Sequence, residues 1–141
     1  MPATARYLAA MSEEKVAVIR ASNAAWNAGK MDAFFETLHP DVIVQTVGNW
    51  PEPGPHVGRE AAMRFYRGLR AAFDEDRLRE TSEYLHAADR VVVRLAMDTV
   101  GHGPPVPMEA SVVFSVRKGT IRSVEFFWDH EEALEAAGLQ A

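Results

Sequence analysis

The residues best suited to acid–base chemistry in this chain stand near strand ends, and Asp129 is the first of them. In "EFFWDHEEALEAAGL", residues 125 to 139, an alternating strand runs through Trp128-Asp129 into an acidic helix. A carboxylate there would act as a base only within hydrogen-bond reach of substrate, with burial raising its pKa toward neutrality. Glu132 follows three residues later, and Asp-x-x-Glu at a helix start is a capping-box pattern. Asp129 is therefore expected to start the helix, and its neighbour Trp128 to line a cavity.

Other polar candidates are fewer. Thr46 ends a short strand and Asn49 follows in a Pro-rich loop, where both would orient a polar ligand group; a turn-forming role suits Asn49 equally well. Tyr66 sits on the apolar face of a helix, as a core tyrosine or one whose hydroxyl meets a ligand. The five histidines are 39, 56, 86, 102 and 130, and no two are spaced as His-x-His or His-x-x-x-His, so no metal site is expected. His56 and His102, in Pro-rich loops, become acid–base candidates only if they enter a pocket. There is no Gly-x-Ser-x-Gly, phosphate loop or dinucleotide pattern, and no cofactor is expected.

The elements that must position these groups follow from periodicity. Ser12 resembles an N-cap, with Glu13 and Glu14 in the first turn and Val16, Ile19, Asn23 and Trp26 at helical spacing after it. Residues 1 to 11 are then a mobile leader and 12 to 141 one domain. Gly29 is placed to end that helix. A second helix is expected over 31–38, stopped at His39-Pro40. "DVIVQTV", 41 to 47, alternates as a strand. "GNWPEPGPHVG", 48 to 58, carries three prolines and three glycines and is a loop. Arg59 to Phe73 is amphipathic, with Ala62, Phe65, Tyr66, Leu69 and Phe73 on one face. Strands follow at about 77–86, 90–100, 107–117 and 120–128, with turns at Ala88-Asp89, "GHGPP" and Lys118-Gly119, and a last helix over 131–137. Helices first and an antiparallel meander after give an α+β class.

Period-two alternation then assigns the faces. Val91, Val93, Leu95 and Met97, then Met108, Ala110, Val112, Phe114 and Val116, then Val124, Phe126 and Trp128 share the apolar side. The other side mixes Arg94, Asp98, Glu109 and Glu125 with Val92, Val113 and Phe127. Large hydrophobes on a polar face suggest an isologous homodimer contact, across which Arg94 and Asp98 would pair with their symmetry mates. Scattered surface hydrophobes are the alternative.

Composition narrows the function. The 141 residues are 48% hydrophobic and 25% charged, ordinary for one globular domain. A net charge of −5 opposes nucleic-acid binding, which needs a basic face. No apolar run approaches the length of a membrane span. The absence of cysteine fits a reducing cytoplasm.

Three stretches carry a family resemblance: "WNAGKMDAFFETLHPDVIV" at the end of the first helix and the start of the sheet, "GREAAMRFYRGL" on the third helix, and "KGTIRSVEFFWD" on the last hairpin. In this order and spacing the chain resembles the nuclear-transport-factor-two-like superfamily over about residues 12 to 139. The most similar branch is the SnoaL-like group, with its ketosteroid isomerases, limonene-epoxide hydrolases and polyketide cyclases. The resemblance implies a cone: a curved antiparallel sheet wrapped around three helices, with a deep apolar cavity and often a dimer through the outer sheet face. The family's catalytic positions fall on different chemistry here. The isomerase base falls on Thr46, its oxyanion-hole tyrosine near Ser22, and its second aspartate, like the cyclase aspartate, on Val112. The epoxide-hydrolase Arg and Asp fall on Leu95 and Met97 and its last-strand Asp on Phe126; only its loop asparagine is matched, by Asn49. Each catalytic acid has become apolar or a hydroxyl.

The expected pocket is lined by Trp26, Thr46, Asn49, Tyr66, Leu69, Leu95, Met97, Val112, Phe114, Phe126 and Trp128. It suits a hydrophobic polyketide-, terpene- or steroid-like molecule. If the protein is an enzyme, cofactor-independent isomerisation, cyclisation or hydration is implied; the alternative is a non-catalytic dimerisation or ligand-binding module.

Overall fold

Helix α1 (Ala3–Asn27) opens the chain, and the computed structural model describes residues 3–48, 50, 53–72, 77–98 and 107–139. Ser12 lies inside α1. The preceding "ATARYLAAM" is rich in Ala, Arg, Leu and Met, strong helix formers, so the helix continues N-terminally past the expected start. Its other end is as expected. Gly29 adopts φ +73°, the Gly29 N–H donates to Trp26 O (3.0 Å) and the Lys30 N–H to Ala25 O (2.9 Å). That is a Schellman cap, whose left-handed residue favours glycine.

Helix α2 (Met31–Glu36) is shorter than its pattern, because Leu38 already belongs to strand β1 (Leu38–Val47) and the Ile121 N–H donates to Thr37 O. Pro40 therefore lies within a strand. It falls where pairing with the neighbouring strand is interrupted, between Leu38 and Ile43, so its missing N–H breaks no ladder bond. Then come β2 (His56–Val57) and α3 (Arg59–Ala72). The expected strand 77–86 is divided into β3 (Arg77–Glu80) and β4 (Leu85–Ala87), both paired with β5 (Arg90–Asp98). Strand β6 (Pro107–Arg117), β7 (Thr120–Phe127) and α4 (His130–Ala136) complete the chain.

The sheet runs β2-β1-β7-β6-β5-β3, with β4 also on β5. All pairs are antiparallel except β1–β7, which is parallel and departs from the purely antiparallel expectation. Helices α1, α2 and α3 bury Ile19, Trp26, Phe34, Phe35, Phe65 and Tyr66 against the inner face, on Val44, Val91, Val93, Val112, Phe114 and Val124. The inner and outer assignments on β5 and β6 hold. On β7 one residue shifts them: Ser115 pairs with Ser123 but Val116 with Ile121. Arg122 is thus a bulge residue, and Ile121 and Val124 both face inward although three apart.

The outer face carries the main correction. Val92, Val113 and Phe127 form a second small core with Ala133 and Ala137, and are 0%, 1% and 5% exposed. Helix α4 covers them within the same chain, so they are not available as a dimer contact. Arg94 likewise pairs within the chain, with Glu109 (Nη2–Oε1 2.6 Å). No helix among the described residues is long and apolar enough to cross a membrane.

Candidate functional site

Where α1 and α3 meet the inner face, the side chains leave a cavity of about 60 Å³. Its walls come from every layer of the inner core. Helix α1 presents Ser22, Asn23 and Trp26, one to two turns of a single face. Helix α3 presents Tyr66 and Leu69, β5 presents Leu95 and Met97, and β6 presents Ala110, Val112 and Phe114. Phe34, Leu38, Leu78, Ile121, Val124, Phe126 and Trp50 close it. Trp26, Tyr66, Leu69, Leu95, Met97, Val112, Phe114 and Phe126 therefore meet around one space.

Two described residues expected in the lining do not. Thr46 is buried on the inner face but its Oγ1 accepts from Gly54 N–H (2.9 Å), pinning the Pro-rich loop to β1. The approach is close: a Cβ on Gly54 would lie 3.0 Å from Val44 O, which explains a glycine there. Trp128 is 38% exposed, because β7 ends at Phe127 and the backbone turns away toward α4. Asn49 and His102 lie outside the described residues. His56 packs on Phe65 (4.6 Å between ring centroids) and does not line the cavity.

Trp50 takes the wall expected of Trp128. Its indole Nε1 donates to Val47 O (2.9 Å), it packs on Phe126 at 5.5 Å, and Trp128 stacks on its other side at 4.1 Å and 14°. Alternation could not reveal Trp50, because a loop residue has no strand period; the loop's tether to β1 brings it in. Ile121 was hidden by the β7 bulge.

The aromatic frame around the cavity is closely packed. Trp26, Phe34 and Tyr66 meet edge to face at 4.9–5.9 Å. Arg70 sits over the Trp26 ring (5.0 Å) and donates through Nη1 to Trp26 O (2.8 Å), so one cation holds the indole and serves a terminal carbonyl of α1.

Polar groups in the walls are few. Thr37 Oγ1 lies 2.6 Å from Phe34 O, which only accepts, so the single Thr37 hydroxyl proton goes there; Ser22 then donates its own to Thr37 Oγ1 (3.1 Å). Burial alone raises the Tyr66 pKa far above its ordinary value and keeps the phenol neutral. Trp26 Nε1 and Asn23 Nδ2 are buried with no hydrogen-bond partner. Each unmet buried donor costs about 1–3 kcal/mol. No carboxylate or histidine is among the described lining residues, and no cluster among the described residues is arranged to hold a metal ion.

Asp129 does what its spacing implied. Its side chain accepts from Glu131 N–H (2.8 Å) and Glu132 N–H (3.4 Å) and starts α4.

The SnoaL-like domain family matches residues 19–124 of this sequence. The chain belongs to the SnoaL-like domain family. No curated protein matches it in sequence. Solved structures share the fold at low identity. TerC, co-crystallized with polyporic acid, is 20% identical over 88% of this chain and 97% of its own, with a TM-score of 0.70. A Xanthomonas campestris protein of unknown function with a cystatin-like fold is 17% identical over 90% and 98%, TM-score 0.70. RV0760c from Mycobacterium tuberculosis, in complex with estradiol-17beta-hemisuccinate, is 16% identical over 83% and 95%, TM-score 0.69. Within this SnoaL-like domain, Ser22, Leu95, Met97, Val112 and Phe126, onto which the resemblance carried catalytic positions, all line the cavity.

Proposed function

We propose that this SnoaL-like domain binds a hydrophobic small molecule in the inner cavity, whose described lining residues include no carboxylate or histidine. The observation that supports it is an unfilled apolar space at the centre of an otherwise packed core. A void of about 60 Å³ costs about 1.5 kcal/mol at ~24 cal/mol per Å³. Larger side chains at Ala110 or Val112 would remove that cost, so the space is a candidate for a binding role. The ligands named for TerC and RV0760c, polyporic acid and estradiol-17beta-hemisuccinate, are multi-ring molecules, which supports a polyketide-, terpene- or steroid-like class.

Size sets a condition. A space of 60 Å³ is about two waters' share of liquid volume, well below the roughly 300 Å³ at which ligand pockets begin. A multi-ring ligand therefore enters with movement of the half-buried lining residues Asn23, Leu69, Leu78 and Phe126. If turnover accompanies binding, Tyr66 would donate a hydrogen bond from its neutral phenol, and the reaction class would be isomerisation, cyclisation or hydration. The small free volume favours a second reading, a non-catalytic module whose inner core is nearly filled by Phe114 and Phe126.

The test is a thermal-shift panel of steroids, terpene epoxides and aromatic polyketide mimics. A ligand at about 100 times its Kd adds roughly 2.7 kcal/mol to the folded state. A Tm rise confined to one class, abolished by Val112→Trp, is expected; an unchanged Tm across the panel supports the filled module instead. The reading also includes a cytoplasmic setting and a homodimer. The second copy would sit on the strip of outer sheet that α4 leaves open, where the paired Ile43 and Val57 are exposed. Sedimentation of a monomer at micromolar concentration would remove the dimer.

A further inference from the structure

Two residues that line an apolar space each carry a buried nitrogen donor with no hydrogen-bond partner. Trp26 is 1% exposed, lines the cavity, and its Nε1 has no partner; Asn23, one turn earlier on the same face of α1, also lines it, with Nδ2 equally unserved. An indole N–H donates only, so its identity as a donor is fixed by chemistry. Trp26 cannot turn its ring away to water. The Trp26 ring is held by Phe34 and Tyr66 edge to face and by Arg70 over its face.

The surrounding charges specify the partner further. No lysine, arginine or histidine is among the described lining residues, so an anion's charge would go unpaired there. Tyr66, kept protonated by burial, adds a third neutral group able to donate. Ser22 is occupied with Thr37. The inner wall thus offers donors on α1 and α3 and hydrocarbon elsewhere.

We propose that Trp26 Nε1 and Asn23 Nδ2 form a two-donor anchor for a neutral acceptor oxygen, so that the cavity selects hydrophobic molecules carrying a ketone, quinone or ester carbonyl. This rests on the cavity being a ligand site. It adds which end of the ligand points to α1 and which chemical class is refused. The anchor binds the oxygen and moves no proton, because nothing in the described wall beside it is a base at neutral pH.

The experiment compares three probes of one size: acetophenone, ethylbenzene and benzoate. Binding is read by the fluorescence of the intact protein and by Tm, in the natural sequence and in Asn23→Leu and Trp26→Phe. Acetophenone is expected to bind about tenfold more tightly than ethylbenzene, the equivalent of one to two net hydrogen bonds, and benzoate weakest. Each variant is expected to bring the ketone-to-hydrocarbon affinity ratio toward one, a change in ratio that loss of folding would not produce. Asn23→Leu, near-isosteric and only half-buried, keeps the test available if Trp26→Phe proves unstable. Equal binding of ketone and hydrocarbon would overturn the anchor and leave the cavity reading standing, with water serving the two donors. Benzoate binding best would overturn it in favour of an anion site. Binding of none of the three would overturn the anchor for ligands of this size, and the larger multi-ring panel would then decide the cavity reading separately.

Discussion

The two faces of the sheet solve the same packing problem in opposite ways. On the outer face, α4 closes over Val92, Val113 and Phe127. The polar groups there are joined in series: Arg94 pairs with Glu109 and donates to Ser111 Oγ (2.8 Å), and Ser111 meets His130 Nδ1 at 2.8 Å. Arg94 only donates, and which of Ser111 and His130 donates to the other follows the histidine tautomer. Ser111 and His130 are a serine–histidine pair, yet Ser111 is 0% exposed and held between Arg94 and His130, so the pair braces α4 against the sheet. On the inner face, three helices cover a larger core that keeps a void and two unserved donors. A filled core with satisfied polar groups has nothing left to bind. An unfilled one with unmet donors pays a standing cost that a ligand would relieve.

The largest break in that contrast is expected at Phe127. Phe127→Ala empties the outer core and should destabilise by about 3–5 kcal/mol, read as a lower urea midpoint. Ser111→Ala removes the join between Arg94 and His130 and should lose about 1–3 kcal/mol in the same experiment. Asp129→Ala should lose about 1 kcal/mol of helix capping and leave ligand binding untouched, which separates cap from catalysis.

Inside, the sign should change. Ala110→Val adds volume, which in a filled core costs about 1–3 kcal/mol; beside the void it should be neutral or raise Tm by a degree or two. A loss as large as in a filled core would mean that the space is not there. The smallest effect is electrostatic. Hydrogen bonding and charge from Arg94 hold the Glu109 carboxyl below its ordinary value. A carboxyl with a lowered folded-state pKa contributes stability above its unfolded pKa and loses it as pH falls through the folded value. Glu109 is 41% exposed in its side chain, so solvent screening keeps this well under about 1 kcal/mol. The stability gap between the natural sequence and Glu109→Gln should be present at neutral pH and close in acid, below the ordinary carboxylate range.

Much of this was legible in the residues themselves. The alternation of β5 and β6 placed Leu95, Met97, Val112 and Phe114 inward, the α3 pattern placed Tyr66 and Leu69, Gly29 marked a helix end, and Asp-x-x-Glu marked Asp129 as a cap. These depend on neighbours a few residues away, so local periodicity and short-range hydrogen bonding decide them. The helix start at Ser12 failed within that same local range, because good helix formers upstream outweighed a serviceable cap.

What the tertiary structure alone decided depends on residues far apart in the chain. Phe127 is outward by alternation whether the next layer is a partner chain or the chain's own helix, and only the docking of α4 makes it core. Trp50 enters the cavity because Gly54 N–H meets Thr46 Oγ1 across the loop, and Ile121 because one bulge at Arg122 shifts a register. Whether Asn23 and Trp26 have partners is likewise invisible in their spacing, because a donor is orphaned by everything that packs around it and by none of it singly.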